Sequence, residues 1–322
     1  MRIGFRRKQA GGERLWLGAF GKHPAWDDHF ETPGLETARL TQLRTSLYSE
    51  GVGGRIDSGA WDKLDEGERI DGFAHTLVWR TPEGMLAGRL IDSVDGKGRR
   101  RYPLVIAAHT RGLPGAWVCG TLCERLARLG DTCADSSARE GVLTEIELAR
   151  SELRGEAGLL GEASERVEGE NALRTLVEGV GREAVERVVY QCVRDMGAFL
   201  RGGLRGARST SRTLDVSAKS CRAPAFGASA GEACGLWVRV LGRLVGDGAP
   251  VMAIAHDSMG MVDILVGEPE AEQFYCLRAG ASALPLSSEV PYEIDQATRS
   301  WVESTLGDEQ GDRDPGWIGR RR

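Results

Sequence analysis

A chain of 322 residues, 41% of them hydrophobic, has enough apolar material for one large core or two ordinary ones, which excludes a wholly disordered protein. Lys and Arg number 42 against 47 Asp and Glu, a formal net charge of −5, so no general electrostatic pull draws the chain to nucleic acid or anionic membrane. The seven cysteines are odd in number, dispersed and without a CxxC pair, a pattern of reduced thiols rather than a disulfide framework.

The basic N-terminal segment, 1–13, is followed only by the short apolar run Leu15 to Phe20, and no run approaches the roughly 20 residues that cross a bilayer. The expectation is a cytoplasmic chain without direct membrane insertion and without a nucleic-acid partner. Leu15 to Phe20 predicts a buried strand, ending in a loop rich in Gly, His, Pro and Asp from Gly21 to His29. Leu35, Ala38, Leu43 and Leu47 share one helical face after the Pro33-Gly34 punctuation and predict the first helix. Thr76 to Arg80 and Met85 to Ile91 flank Thr81-Pro82-Glu83-Gly84, a tight turn between antiparallel strands. The basic loop Asp95 to Arg101 then leads into Leu104 to Ala108, a continuous apolar run suited to a central strand covered on both faces.

Helical spacing recurs at Val118, Leu122, Leu126 and Leu129, again at Val142, Ile146, Ala149 and Leu153, and most clearly from Glu183 to Leu200. Residues 202–228, rich in Gly, Arg, Ser and Ala, read as a long surface loop or a flexible insertion. A helix resumes at Ala233, Leu236, Trp237, Val240, Leu241, Leu244 and Val245. Val251 to His256 and Val262 to Val266 form a hairpin around Asp257-Ser258-Met259-Gly260, and Phe274 to Arg278 reads as one more strand. A short helix after Pro291 runs to about Leu306, and 307–322 is a polar tail expected to be disordered. With no internal repeat and no boundary between cores, residues 14–306 read as a single α/β domain, a mixed β-sheet flanked by helices and assembled from both ends of the chain.

Polar chemistry is densest at Gly21-Lys22-His23-Pro24-Ala25-Trp26-Asp27-Asp28-His29-Phe30. Two imidazoles, two carboxylates and an ammonium could hold a metal or move protons, but their irregular spacing belongs to no metal or hydrolase signature, and adjacent Asp27 and Asp28 diverge in an extended segment. A turn or partner-binding loop, with no metal and no cofactor, is the reading that follows. Lys97, Arg99, Arg100 and Arg101 could grip a phosphate through bidentate contacts, although charge runs in loops are most often solvated. Gly227-Ala228-Ser229-Ala230-Gly231 matches GxSxG, yet Ser229 and Glu232 stand in capping-box spacing before an apolar stripe. Gly179-Val180-Gly181 follows a helix-like segment rather than a strand, and His256-Asp257-Ser258 are consecutive where triad members come from separate segments. Cys119 and Cys123 are helical neighbours rather than half of a metal site.

Ala19-Phe20-Gly21-Lys22-His23-Pro24, followed by Asp27, Asp28 and Phe30, resembles the N-terminal motif of the TagF (ImpM) family of type VI secretion proteins. Asp92-Ser93-Val94-Asp95, Gly98-Arg99 and Arg101-Tyr102-Pro103-Leu104 resemble a second segment of that family, and Gly235-Leu236-Trp237 a third. The first two matches span roughly residues 14 to 110, while the middle from Asp131 to Ala228 looks expanded, which fits a divergent subfamily. The resemblance implies a TagF-like fold and a regulator that is not an enzyme, restraining assembly or firing of the secretion machine through contact with a forkhead-associated scaffold protein. The residues it carries over are Gly21, Lys22, Pro24, Asp27 or Asp28, Gly98, Arg99, Tyr102 and Pro103. Gly and Pro set backbone shape there, which leaves Lys22, Asp28 and Arg99 as candidate partner contacts. Two alternatives stay open: a metal-dependent hydrolase built on the 22–29 loop, and a phosphate-sensing module that needs the 22–29 and 97–101 loops to meet.

Overall fold

The computed structural model describes residues 14–160, 165–192, 219–245, 249–289 and 293–307. The basic segment 1–13, the second half of the Glu183 to Leu200 stripe, positions 202–218 of the expected loop and the tail beyond 307 lie outside the described residues.

Among the described residues eight strands form one sheet: β1 Leu15–Gly21, β2 Phe30–Glu31, β3 Ala74–Thr81, β4 Gly84–Ser93, β5 Tyr102–Thr110, β6 Lys219–Pro224, β7 Val251–His256 and β8 Met261–Val266. Their spatial order is β2-β1-β5-β4-β3-β7-β8-β6, so both ends of the chain do build one sheet. Every ladder between these strands is antiparallel, which corrects the expected mixed sheet. The reason is connectivity. The neighbours that follow each other in sequence, β1–β2, β3–β4, β4–β5 and β7–β8, are joined by connections without a crossover helix, which only antiparallel pairs allow, while the long helical segments join strands that are not neighbours, β2 to β3, β5 to β6 and β6 to β7.

Both faces of the sheet are covered, giving a three-layer α/β domain. Leu15, Leu17, Ala19, Val78, Leu104, Ile106 and Ala108 turn to one core, with the helices Cys123–Asp135, Arg139–Leu159 and Ala230–Val245. The alternate residues Trp16, Phe20, Leu77, Trp79, Val105 and Ala107 turn to a second core beneath Leu40, Leu43, Leu47 and Phe274. Burial on both sides explains the unbroken apolar run at β5, since a strand between two layers has no polar face to alternate with. On the helical side Gly231 and Gly235 leave no room for a Cβ against Cys123 and Cys119, so the helix Ala230–Val245 sits close on the turn before Cys123.

The β3–β4 hairpin closes as read, with Thr81 paired to Gly84 and Pro82 and Glu83 at the tip. Three regions differ from expectation. The first helix starts at Ala38, where the Thr37 hydroxyl accepts the Leu40 amide at 3.2 Å, and continues through a π-helix, Arg44–Gly53, and a last turn, Gly54–Asp57. Phe274 to Arg278 lies not in a strand but in a 3₁₀-helix, Ala271–Arg278, opened by a capping box between Glu270 and Gln273; the three-residue spacing of Phe274 and Leu277 puts both into the second core. The end of the 202–228 stretch is the edge strand β6. Its hydrophobic signal is faint because inward Cys221 and Ala223 alternate with Arg222, whose charge is met on the opposite face by Asp263.

Candidate functional site

The two segments that carry the resemblance fold onto each other at one end of β1 and β5. Gly21 ends β1 at φ +125°, where any Cβ would run into the Pro103 carbonyl, so the chain passes there only with glycine. That turn directs Lys22 inward. Its ammonium lies 2.9 Å from Asp95 Oδ2, donates to the Arg100 carbonyl at 3.0 Å and sits 4.8 Å from the centre of the Tyr102 ring. Both side chains of the pair are buried, 5% and 0% accessible.

Asp95 is the hub of the second loop. Its Oδ1 accepts the amides of Lys97 and Arg99 at 3.1 Å each, and Oδ2 accepts Arg99 Nε at 2.9 Å. Burial alone would raise its pKa, but the Lys22 ammonium, the Arg99 amide and the Arg99 guanidinium overcome that and hold the carboxyl well below the usual carboxylate range. The loops are also stitched through the backbone: Gly96 N–H donates to the Trp26 carbonyl at 2.6 Å and Arg99 Nη2 to the Asp27 carbonyl at 2.5 Å. Gly98, at φ +65°, lets the loop turn back so that its amide reaches the Asp95 carbonyl at 2.8 Å.

These contacts decide the fate of each expected site residue. Lys22, expected to touch a partner, is instead committed to Asp95 and inaccessible; the Gly21 turn places it beneath the second loop. Asp28 and Arg99 do reach the surface, with side chains 65% and 47% accessible, and face each other at 3.3 Å. Pro24 and Asp27 are exposed, and Pro103 is buried in β5, where its carbonyl accepts the Lys22 amide at 3.4 Å. Tyr102 is half-buried, under Lys22 and edge-on to His29.

Beside the joined loops lies an open groove of about 370 Å³. Phe20, Phe30, Tyr48 and Tyr102 give it aromatic walls, His29 adds a polar edge, and Glu31, Arg44 and Asp57 give it a charged rim in which Arg44 pairs with Glu31 at 2.9 Å. His29 Nδ1 hydrogen-bonds with the Tyr48 hydroxyl at 2.6 Å. Burial lowers the His29 pKa, and Lys22 adds to this, against the opposing pull of Asp28 and Asp95; burial also raises that of the Tyr48 phenol, so the pair is neutral near pH 7. Arg44 and Tyr48 carry no local signal in the sequence, because the π-helix that presents them is set by packing rather than by a motif.

The catalytic alternatives meet specific obstacles. His23 uses both ring nitrogens: Nδ1 accepts the Ala25 amide at 3.0 Å, which puts the hydrogen on Nε2, and that donates to the Cys133 carbonyl at 2.8 Å. Burial lowers its pKa, against the opposing pull of the bond to the Cys133 carbonyl. Among the described residues no group of three or more His, Cys, Asp or Glu side chains is placed to hold a metal ion. The 22–29 and 97–101 loops do meet, but Lys22, Arg99, Arg100 and Arg101 each already face a carboxylate, Asp95, Asp95 with Asp28, Asp57 and Asp92. Ser229 caps the helix Ala230–Val245, its hydroxyl accepting the Glu232 amide at 3.2 Å while the Glu232 carboxylate accepts the Ala228 amide at 2.7 Å. His256, Asp257 and Ser258 make a turn in which Asp257 is held by Arg89 through two 2.6 Å bonds.

No family model matches this sequence, and no curated protein matches it significantly. The geometry of the two joined loops therefore stands on its own. Among the described residues no helix is long and apolar enough to cross a membrane.

Proposed function

We propose that this chain acts by protein–protein contact, as an accessory protein of type VI secretion that regulates the machine after translation by engaging a forkhead-associated scaffold, without catalysis of its own. One observation carries the reading: the two segments that resemble the TagF family, separated in sequence by the first helix and β3, close on each other through the buried Lys22–Asp95 pair and frame an open groove of aromatic walls and charged rim. Aromatic side chains bordered by Arg and carboxylates suit a contact surface, where rings supply area at small entropic cost and the rim supplies specificity. The occupied nitrogens of His23 and the burial-raised phenol of Tyr48 weigh against a hydrolase. The carboxylates beside Lys22, Arg99, Arg100 and Arg101 weigh against a phosphate sensor.

The test is recovery of the tagged chain from the cytoplasm of a type VI secreting bacterium, comparing wild type with Arg44→Glu and with Tyr102→Ala. A forkhead-associated secretion scaffold that co-purifies with wild type and is lost at least tenfold with each variant supports the reading. Equal recovery with all three proteins sinks the groove as the contact, and recovery of no secretion component with wild type sinks the pathway.

A further inference from the structure

Two of the seven cysteines touch. Cys192, buried in the helix 182–192, and Cys221, partly exposed on β6, hold their sulfurs 3.7 Å apart, although 29 positions separate them in sequence. The pairing follows from the fold rather than from local chain proximity. Register against β8 places Cys221 opposite Ile264, and strand alternation sends it, with Ala223, to the sheet face where Val185, Val188 and Val189 of that helix pack. Arg222, between them, is committed to Asp263 on the other face, which fixes the direction in which Cys221 points.

The remaining thiols are placed differently. Cys119 and Cys123 lie under Gly235 and Gly231, and burial pushes the Cys123 and Cys234 thiols well up, which suppresses the reactive thiolate. Cys276 is raised in the same way, with the Asp263 carboxylate beside it, and burial lifts Cys133 to about 11. Cys221 joins partial exposure to a second sulfur in contact, on an outermost strand that pairs only with β8 among the described residues. Reaching the S–S bond length of about 2.05 Å takes an approach of about 1.7 Å, within reach of side-chain rotation and a small shift of an edge strand.

We propose that Cys192 and Cys221 form a reversible dithiol–disulfide site, oxidised by exchange with a low-molecular-weight disulfide of the glutathione class. The Cys221 thiolate attacks one sulfur of the small disulfide, breaking its S–S bond and expelling one small thiolate to leave a mixed disulfide on Cys221. The Cys192 thiolate then attacks Sγ of Cys221, forming the protein S–S bond and expelling the second small thiolate. The protons given up by the two cysteines end on the two small thiols, so the protein loses two electrons and the small disulfide gains them. The bond ties the edge strand β6 to the helix layer and reduces the freedom of an exposed sheet edge to pair elsewhere.

The experiment equilibrates the full chain, natively folded, in a series of oxidised and reduced glutathione mixtures, quenches by alkylation, then counts thiols after denaturation and maps peptides without reduction. The expected result is a fall from seven alkylated thiols to five, one cross-linked peptide pair containing Cys192 and Cys221, and full reversal by dithiothreitol. Cys276→Ala should keep that cross-link, and Cys221→Ser should abolish it with no new intramolecular pair. Seven thiols throughout, a cross-link joining any other pair, or glutathione adducts without the protein disulfide would each overturn the proposal.

Discussion

Truncating Arg222 to Ala should be among the most damaging single changes in this protein. The guanidinium makes two 2.8 Å bonds to Asp263 and also donates to the carbonyls of Gly280, Leu284 and Cys276 at 3.0, 3.1 and 3.3 Å, so one side chain ties β6, β8, the 3₁₀-helix Ala271–Arg278 and the segment after it together. The substitution orphans a buried carboxylate, which costs about 3–5 kcal/mol, a fall in melting temperature of roughly 5–8 °C for a domain of this size. Burial already raises the Asp263 pKa against the pull of Arg222. Without Arg222 it rises further, and the sign follows: a carboxyl whose folded pKa lies above its unfolded value of about 3.9 contributes stability at low pH that is lost as pH rises toward the folded pKa. Urea unfolding monitored by tryptophan fluorescence should therefore show a deficit that shrinks between pH 7 and pH 4 and is partly recovered by adding Asp263→Asn. A loss under about 1 kcal/mol at pH 7, or a deficit that grows on acidification, would refute the assignment of this pair as a buried, mutually dependent unit.

Gly21→Ala forces a Cβ onto the Pro103 carbonyl at φ +125° and should cost about 1–3 kcal/mol in a thermal melt; a neutral result would mean the two loops do not depend on that turn. His109 is buried against Trp16, and burial, aided by Arg111, pushes its pKa down to about 4. The unfolded chain takes up that proton near pH 6.5, so the urea midpoint should fall as pH drops from about 6.5 to about 4, and His109→Leu should flatten that slope. Tyr48→Phe keeps the groove wall but removes the bond to His29, with an expected loss of about 1 kcal/mol in urea unfolding. A loss several times larger would mean that the hydroxyl holds the π-helix in place as well as the imidazole.

Much of the fold was legible because hydrophobic periodicity is a local record of burial. The β3–β4 hairpin, the β7–β8 hairpin, the central strand β5 and the helix Ala230–Val245 are each written in a run of residues whose spacing admits one geometry. Where packing supplies the reason, the record fails. Phe274 to Arg278 is apolar enough for a strand but is drawn into a 3₁₀-helix by its cap and its three-residue contacts, and β6 is too polar to announce itself because its arginine is answered by an aspartate 41 positions away.

The candidate site divides in the same way. Gly21, Gly98 and Pro103 stand out in sequence because backbone shape is a property of the residue itself, and the special φ angles of the two glycines agree with that. Whether Lys22 faces water or protein is not such a property: it depends on a carboxylate 73 positions further along, delivered by a hairpin between them, and only the folded chain brings the two within 2.9 Å. The same holds for Tyr48 against His29 and for Cys192 against Cys221. Composition and spacing determined which faces are buried and where the chain turns; tertiary structure alone decided which polar groups meet, because a short-range interaction between distant residues has no signature at either of its ends.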